Sequence, residues 1–115
     1  MSHECTLPET PLYPEKRSWP VETLWELAST LEVFYMDVQE IYEEYRKIDC
    51  WLQGEDFNTG FVMDHMSRIL EANLDYPIIF SEEDYIMDGV HRLCKAAFYK
   101  QKTIKAVKFQ IDPKT

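Results

Sequence analysis

Residues 85–97 read Tyr85-Ile86-Met87-Asp88-Gly89-Val90-His91-Arg92-Leu93-Cys94-Lys95-Ala96-Ala97. The short apolar run Tyr85, Ile86, Met87 predicts a strand, and Gly89 predicts a tight turn. Val90, Leu93, Cys94, Ala97 and Phe98 then recur at helical spacing, which predicts an amphipathic helix with Cys94 on its buried face. His91 and Arg92 fall in that helix's first turn. A helix start presents unpaired backbone N–H groups and the positive end of the macrodipole. An arginine and a histidine added there make a cradle for an anion, most naturally a phosphate. In the plainer alternative Asp88 only caps the helix, and His91 and Arg92 are solvated. The motif alone leaves both open.

Working outward, Pro77-Ile78-Ile79-Phe80 predicts a buried strand, and the polar turn Ser81-Glu82-Glu83-Asp84 returns it to residues 85–87 as a hairpin. Upstream, Val62, Met66, Ile69, Leu70 and Asn73 mark a helix over 61–73, and downstream residues 103–111 predict a last strand. Pro20 suits a first helical turn, and Val21, Leu24, Trp25, Ala28 and Leu31 follow at helical spacing, which predicts a helix over 20–30 with Trp25 in the core. Residues 32–48 are ambiguous. Val33, Tyr35 and Asp37 alternate with Phe34, Met36 and Val38 as in a strand, whereas Phe34, Val38, Ile41, Tyr45 and Ile48 fit a helix. Gly54, Asn58 and Gly60 predict a loop over 49–60, in which Trp51 is either a plug over the core or part of a site. Residues 1–18 carry Pro8, Pro11 and Pro14 without periodicity and read as an extended N-terminal arm. The fold class expected is α+β, a small mixed β-sheet with packed helices, in one domain spanning 19–115.

Composition narrows the function classes. At 115 residues the chain can build one modest core, and a hydrophobic fraction of 45% with 14% aromatic residues argues against general disorder. No apolar run is long enough to span a bilayer, and the polar, Pro-rich N-terminus lacks a signal-peptide core. Cys5, Cys50 and Cys94 are an odd set with no C-x-x-C pair, which fits a reduced cytoplasmic location with no disulfide and no cysteine zinc site. A net charge of −9 opposes broad nucleic-acid binding, so no direct DNA binding is expected. The charge is uneven: acids dominate residues 22–56, whereas Arg92, Lys95, Lys100, Lys102, Lys105, Lys108 and Lys114 face only Asp112 after His91. A basic patch on an acidic body suits a local anionic ligand better than a long polyanion.

These elements together resemble the ParB/sulfiredoxin-like superfamily over roughly residues 32–110. The resemblance is carried by Tyr76-Pro77-Ile78-Ile79-Phe80, by Ile86-Met87-Asp88-Gly89-Val90-His91-Arg92 with Ala96-Ala97, and by Thr103-Ile104-Lys105-Ala106-Val107. Val33 to Val38 followed by Ile41 resembles the superfamily's first strand, which tips the ambiguous segment toward a strand, and the helix bearing His65, Met66, Arg68 and Ile69 resembles the one before the proline strand. The resemblance implies that the turn before the 90–98 helix binds nucleotide phosphates, as it does for ATP in sulfiredoxins and related small-molecule kinases and for CTP in ParB proteins. It implies Gly89, His91 and Arg92 as phosphate contacts, and a nucleoside triphosphate with Mg2+ as the cofactor, the ion held through the phosphates and Asp88. Sulfiredoxins carry a catalytic cysteine immediately before the His-Arg pair. Val90 stands there, so their chemistry is not expected. With the sequence ending at Thr115, the DNA-reading helical domain of ParB proteins is not expected.

Beyond that turn, His65 and Arg68 lie three apart on one helical face and could contact a second phosphate or a base. Equally, His65 could pair with Asp64 or Glu71 at the surface. A metal site from His65, His91 and Asp88 lacks any spacing of known mechanism, so none is expected. Asp37, Asp49, Glu55 and Asp56 are acidic residues from which a general base could come, but none is singled out. Two function classes therefore stand. In the first, a small phosphorylated ligand is bound by Asp88, Gly89, His91, Arg92, His65 and Arg68, with phosphoryl transfer or hydrolysis as the reaction class. In the second, the fold is a protein-interaction module without a ligand, whose partner surface is the acidic half with Tyr42, Tyr45 and Trp51.

Overall fold

The computed structural model describes residues 4–47 and 58–115. In chain order the elements are β1 (Glu4–Leu7), β2 (Arg17–Pro20), α1 (Val21–Ala28), β3 (Phe34–Asp37), α2 (Val38–Tyr45), α3 (Thr59–Glu71), β4 (Ile78–Phe80), β5 (Ile86–Asp88), α4 (Val90–Phe98) and β6 (Thr103–Lys108). The fold class is α+β. β1 and β2 form a two-stranded sheet, and the other strands form a sheet in the order β3-β6-β4-β5. That sheet is mixed. β4 runs antiparallel to β5 and parallel to β6, with Ile78 opposite Ala106 and Ile79 opposite Val107. Among the described residues no helix is long and apolar enough to cross a membrane.

The chain divides into two compact units. The first comprises the stretch up to Phe34 together with Pro77–Gly89 and Ala106–Thr115. Its core gathers Cys5, Leu7, Trp19, Leu24, Ala28, Ile79, Met87, Val107 and Phe109, with Leu31 packed against it. β4 lies between two strands, which is why all three of its residues are buried and its sequence is an unbroken apolar run. Residues 4–7, within the stretch read as an arm, form a strand. Cys5 and Leu7 face the core opposite Trp19 and Arg17, while Glu4 and Thr6 face solvent. Four residues of alternation are too few to stand out among three prolines. The turn after β4 is closed by Ser81 N–H donating to the Tyr85 carbonyl at 2.8 Å and by Asp84 at φ 66°.

The second unit comprises Tyr35–Tyr76 and Val90–Lys105. The ambiguous stretch is a strand and then a helix over residues 34–45. β3 ends at Asp37, whose carboxylate accepts the Glu40 N–H at 3.0 Å and so caps α2, which buries Val38 and Ile41. α3 begins two residues earlier than periodicity predicts, at Thr59. Asn58 caps it by accepting the Phe61 N–H at 2.9 Å, so Asn58 and Gly60 start a helix rather than continue the loop. The remainder of that expected loop, with Cys50 and Trp51, lies outside the described residues. α4 packs against both α2 and α3 and buries Leu93 and Ala96. Its inward stripe is turned from the one expected: Cys94 is half-buried and Phe98 is exposed. α4 closes in a Schellman motif, with Gln101 N–H to the Ala96 carbonyl, Lys100 N–H to the Ala97 carbonyl and Lys100 at φ 57°. Lys95 reaches back to donate to the carbonyls of Leu70 and Ala72 at 2.9 and 2.8 Å, which satisfies the end of α3 and fixes it against α4.

Candidate functional site

Three of the six residues singled out for phosphate contact lie in the second unit around the start of α4. His91 and Arg92 are the second and third residues of α4, and both are half-buried. Gly89, the residue that delivers the chain into this helix, has φ 110°, a conformation that side chains oppose and glycine adopts freely. His65, on α3, meets His91: its Nδ1 lies 3.0 Å from His91 Nε2. The ring planes are inclined by 26° with centroids 5.3 Å apart, and the Phe61 ring lies against the far side of His65 at 4.4 Å. His65 is therefore bonded to His91, rather than engaged only with Asp64 or Glu71 at the surface. Arg92 holds its guanidinium 5.8 Å from the centroid of the exposed Tyr76 ring. Arg68, one turn beyond His65, is exposed. Two imidazoles and a guanidinium are all donors, or become so on protonation, and such a set recognises oxyanions.

Asp88 belongs to the first unit and has a different engagement. Its carboxylate accepts the Trp25 indole N–H at 2.9 Å. Trp25, expected in the core from its place on the α1 stripe, is instead 51% exposed, with Val21, Leu24 and Ala28 filling the inward positions. Asp37 is committed to capping α2, and Asp49, Glu55 and Asp56 lie outside the described residues. No group of three or more His, Cys, Asp or Glu side chains suited to a metal ion occurs among the described residues. Tyr42 and Tyr45, expected on an exposed partner surface, are half-buried.

The first unit also contains a polar network that sequence spacing could not reveal. Arg17 forms a buried ion pair with Asp112 at 2.8 Å, and its guanidinium lies 3.6 Å from the Tyr13 ring centroid and 5.2 Å from that of Trp19. The Asp112 carboxylate also accepts the Glu82 N–H, and the Glu82 carboxylate accepts both the Asp112 N–H and the Tyr13 hydroxyl. The Asp112 N–H, followed by the Tyr13 hydroxyl, holds the Glu82 carboxyl below its usual range, and donation to Glu82 raises the Tyr13 phenol. Trp19 donates its indole N–H to the Pro113 carbonyl at 3.0 Å, so the C-terminal residues are fastened to β2 at two points. Nearby, burial and then the charge of Asp88 push the Cys5 thiol up to about 12, which keeps it protonated and inert.

Comparison with protein-family models, with curated proteins and with solved structures gives no match to this chain.

Proposed function

We propose that this protein binds a nucleotide or another phosphorylated small molecule at the start of α4, with His65, His91 and Arg92 as the groups that recognise its phosphates. The observation that carries this reading is the meeting of His65 and His91 at 3.0 Å beside Arg92, because the two histidines are distant in sequence and come from different helices. The glycine before α4, at φ 110°, adds a second support, since it allows the backbone to turn into the helix where a side chain would be strained. The resemblance of residues 76–107 to the ParB/sulfiredoxin-like superfamily, in which this turn holds ATP or CTP phosphates, points the same way. In this reading Arg92 supplies the fixed charge and the bidentate fork, and the imidazoles supply further donors. A nucleoside triphosphate with Mg2+ fits this donor set through its phosphates. The ion would come with the ligand, held through its phosphates. Where catalysis occurs, phosphoryl transfer or hydrolysis is the class that such a site serves, by positioning and charge stabilisation.

One observation favours a second reading, a protein-interaction module. The outer face of α3 leaves Met63, Met66 and Leu70 exposed at 58%, 47% and 50%, an apolar stripe of the adaptable kind used to dock partners. Thermal unfolding with ATP, CTP, GTP and inorganic phosphate, each with and without Mg2+, separates the two. A ligand-dependent rise in the midpoint supports the phosphate reading, and no rise with any of them transfers the function to the α3 face.

A further inference from the structure

The geometry of the two histidines fixes how they can hold protons. The distance between ring centroids, 5.3 Å, equals the 3.0 Å gap between Nδ1 of His65 and Nε2 of His91 plus the radii of both rings, the largest separation that this gap allows. The N···N vector therefore runs along the ring radii, and each nitrogen's lone pair or N–H points at the other. Two imidazole nitrogens aimed at a common metal ion would bring their axes together at an angle and draw the centroids closer than this. An in-line contact at this distance is a hydrogen bond with one proton between two nitrogens.

We propose that His65 and His91 titrate as a single unit that presents one positive charge to the phosphate ligand, so that anion binding at this site takes up a proton. The inference rests on the phosphate reading above and specifies how that site is regulated. With both rings neutral, one N–H fills the contact and the other ring proton lies elsewhere. One proton taken from solvent gives an imidazolium that keeps the bridge, since the partner ring still offers a lone pair. A second proton would place N–H against N–H at 3.0 Å and separate the rings, so the second protonation falls well below the first. An oxyanion favours the singly charged pair over the neutral one. Binding above the first midpoint is therefore accompanied by proton uptake.

The other charged groups on the helices packed around the pair are mixed in sign. They are Asp64, Arg68 and Glu71 on α3, Arg92 and Lys95 on α4, and Glu40, Glu43 and Glu44 on α2, with Arg46 and Lys47 just beyond it. Arg46 is paired with Glu43 at 3.3 Å, and Lys95 is engaged with the end of α3. At 3.0 Å the two rings couple directly.

Two measurements on the full chain test this. In NMR titration of the free protein, assigned with His65→Gln and His91→Gln, the pair should show two midpoints more than about one pH unit apart, and each single variant should leave one midpoint nearer the ordinary histidine value of about 6.5. Calorimetric titration with inorganic phosphate, and with sulfate as a tetrahedral dianion that does not titrate near neutrality, in buffers of different ionisation enthalpy should show uptake approaching one proton per anion above the first midpoint. One shared midpoint for both rings, indifferent to either substitution, overturns the proposal. Anion binding without proton uptake overturns the pair's role in binding and leaves the phosphate reading intact. If neither anion binds while the titration still shows two separated midpoints, the phosphate reading falls and takes the binding role with it.

Discussion

Replacing Arg92 by alanine separates the ligand contribution of this residue from its structural one. In the free protein Arg92 is half-buried, and its guanidinium lies 5.8 Å from the centroid of the exposed Tyr76 ring. Losing the cation over this exposed ring should lower stability in urea unfolding by about 0.5–1 kcal/mol in Arg92→Ala. A charge-assisted hydrogen bond to a phosphate contributes about 1.5–3 kcal/mol. The same change should therefore weaken phosphate-ligand affinity by roughly ten- to a hundredfold, since each 1.4 kcal/mol is about a factor of ten. Arg92→Lys keeps the charge and loses the planar fork, so its affinity should fall between the two. Isothermal titration of the three proteins with ATP, CTP and GTP, beside urea unfolding of each, provides both numbers. Equal affinity in wild type and Arg92→Ala would refute the assignment. So would a loss of several kcal/mol in stability with no nucleotide bound by wild type, because Arg92 would then be a structural residue.

Four further outcomes follow from named contacts. Asp112→Asn leaves the buried Arg17 without its counter-charge and should cost about 3–5 kcal/mol in urea unfolding, as breaking one side of a buried pair does. Gly89→Ala places a side chain at φ 110° and should destabilise by about 1–3 kcal/mol, read in the same assay. Glu82 has its carboxyl lowered in the folded state, so its contribution is fully present above the ordinary carboxylate value and is lost as pH falls through the depressed one. Glu82→Gln should accordingly flatten the acid limb of the stability–pH curve while leaving its slope near neutrality unchanged. Cys5, buried and with its thiol pushed up to about 12, should resist iodoacetamide at pH 8 in the native protein and react only on unfolding, whereas the half-buried Cys94 should react first of the two and Cys94→Ser should leave phosphate affinity unchanged, with modification followed by peptide mass mapping.

What the sequence made legible is what depends on local periodicity and turn chemistry. Pro77-Ile78-Ile79-Phe80 reads as a buried strand, and Gly89 before a helical stripe reads as a turn into a helix; both are found, within a residue of their expected bounds. The segment 32–48 defeated periodicity because two short elements abut at Asp37, and a window of a dozen residues averages over the junction. The inward stripe of α4 lies a fraction of a turn from the one that apolar spacing predicts, since in this nine-residue helix the small Ala96 is fully buried while the large Phe98 is exposed. Trp25 shows the same limit from the other side. An aromatic on an apolar stripe reads as core, but its indole N–H needs a partner, and the Asp88 carboxylate provides one at the surface. Long-range polar contacts leave no trace in spacing at all. Arg17 and Asp112 are separated by almost the whole chain, as are Trp19 and Pro113, and neither pair carries a motif. The His65–His91 contact lies between these extremes. Each histidine was legible as a candidate from its own helix, but their 3.0 Å contact depends on the packing of α3 on α4, which Lys95 fixes across the end of α3.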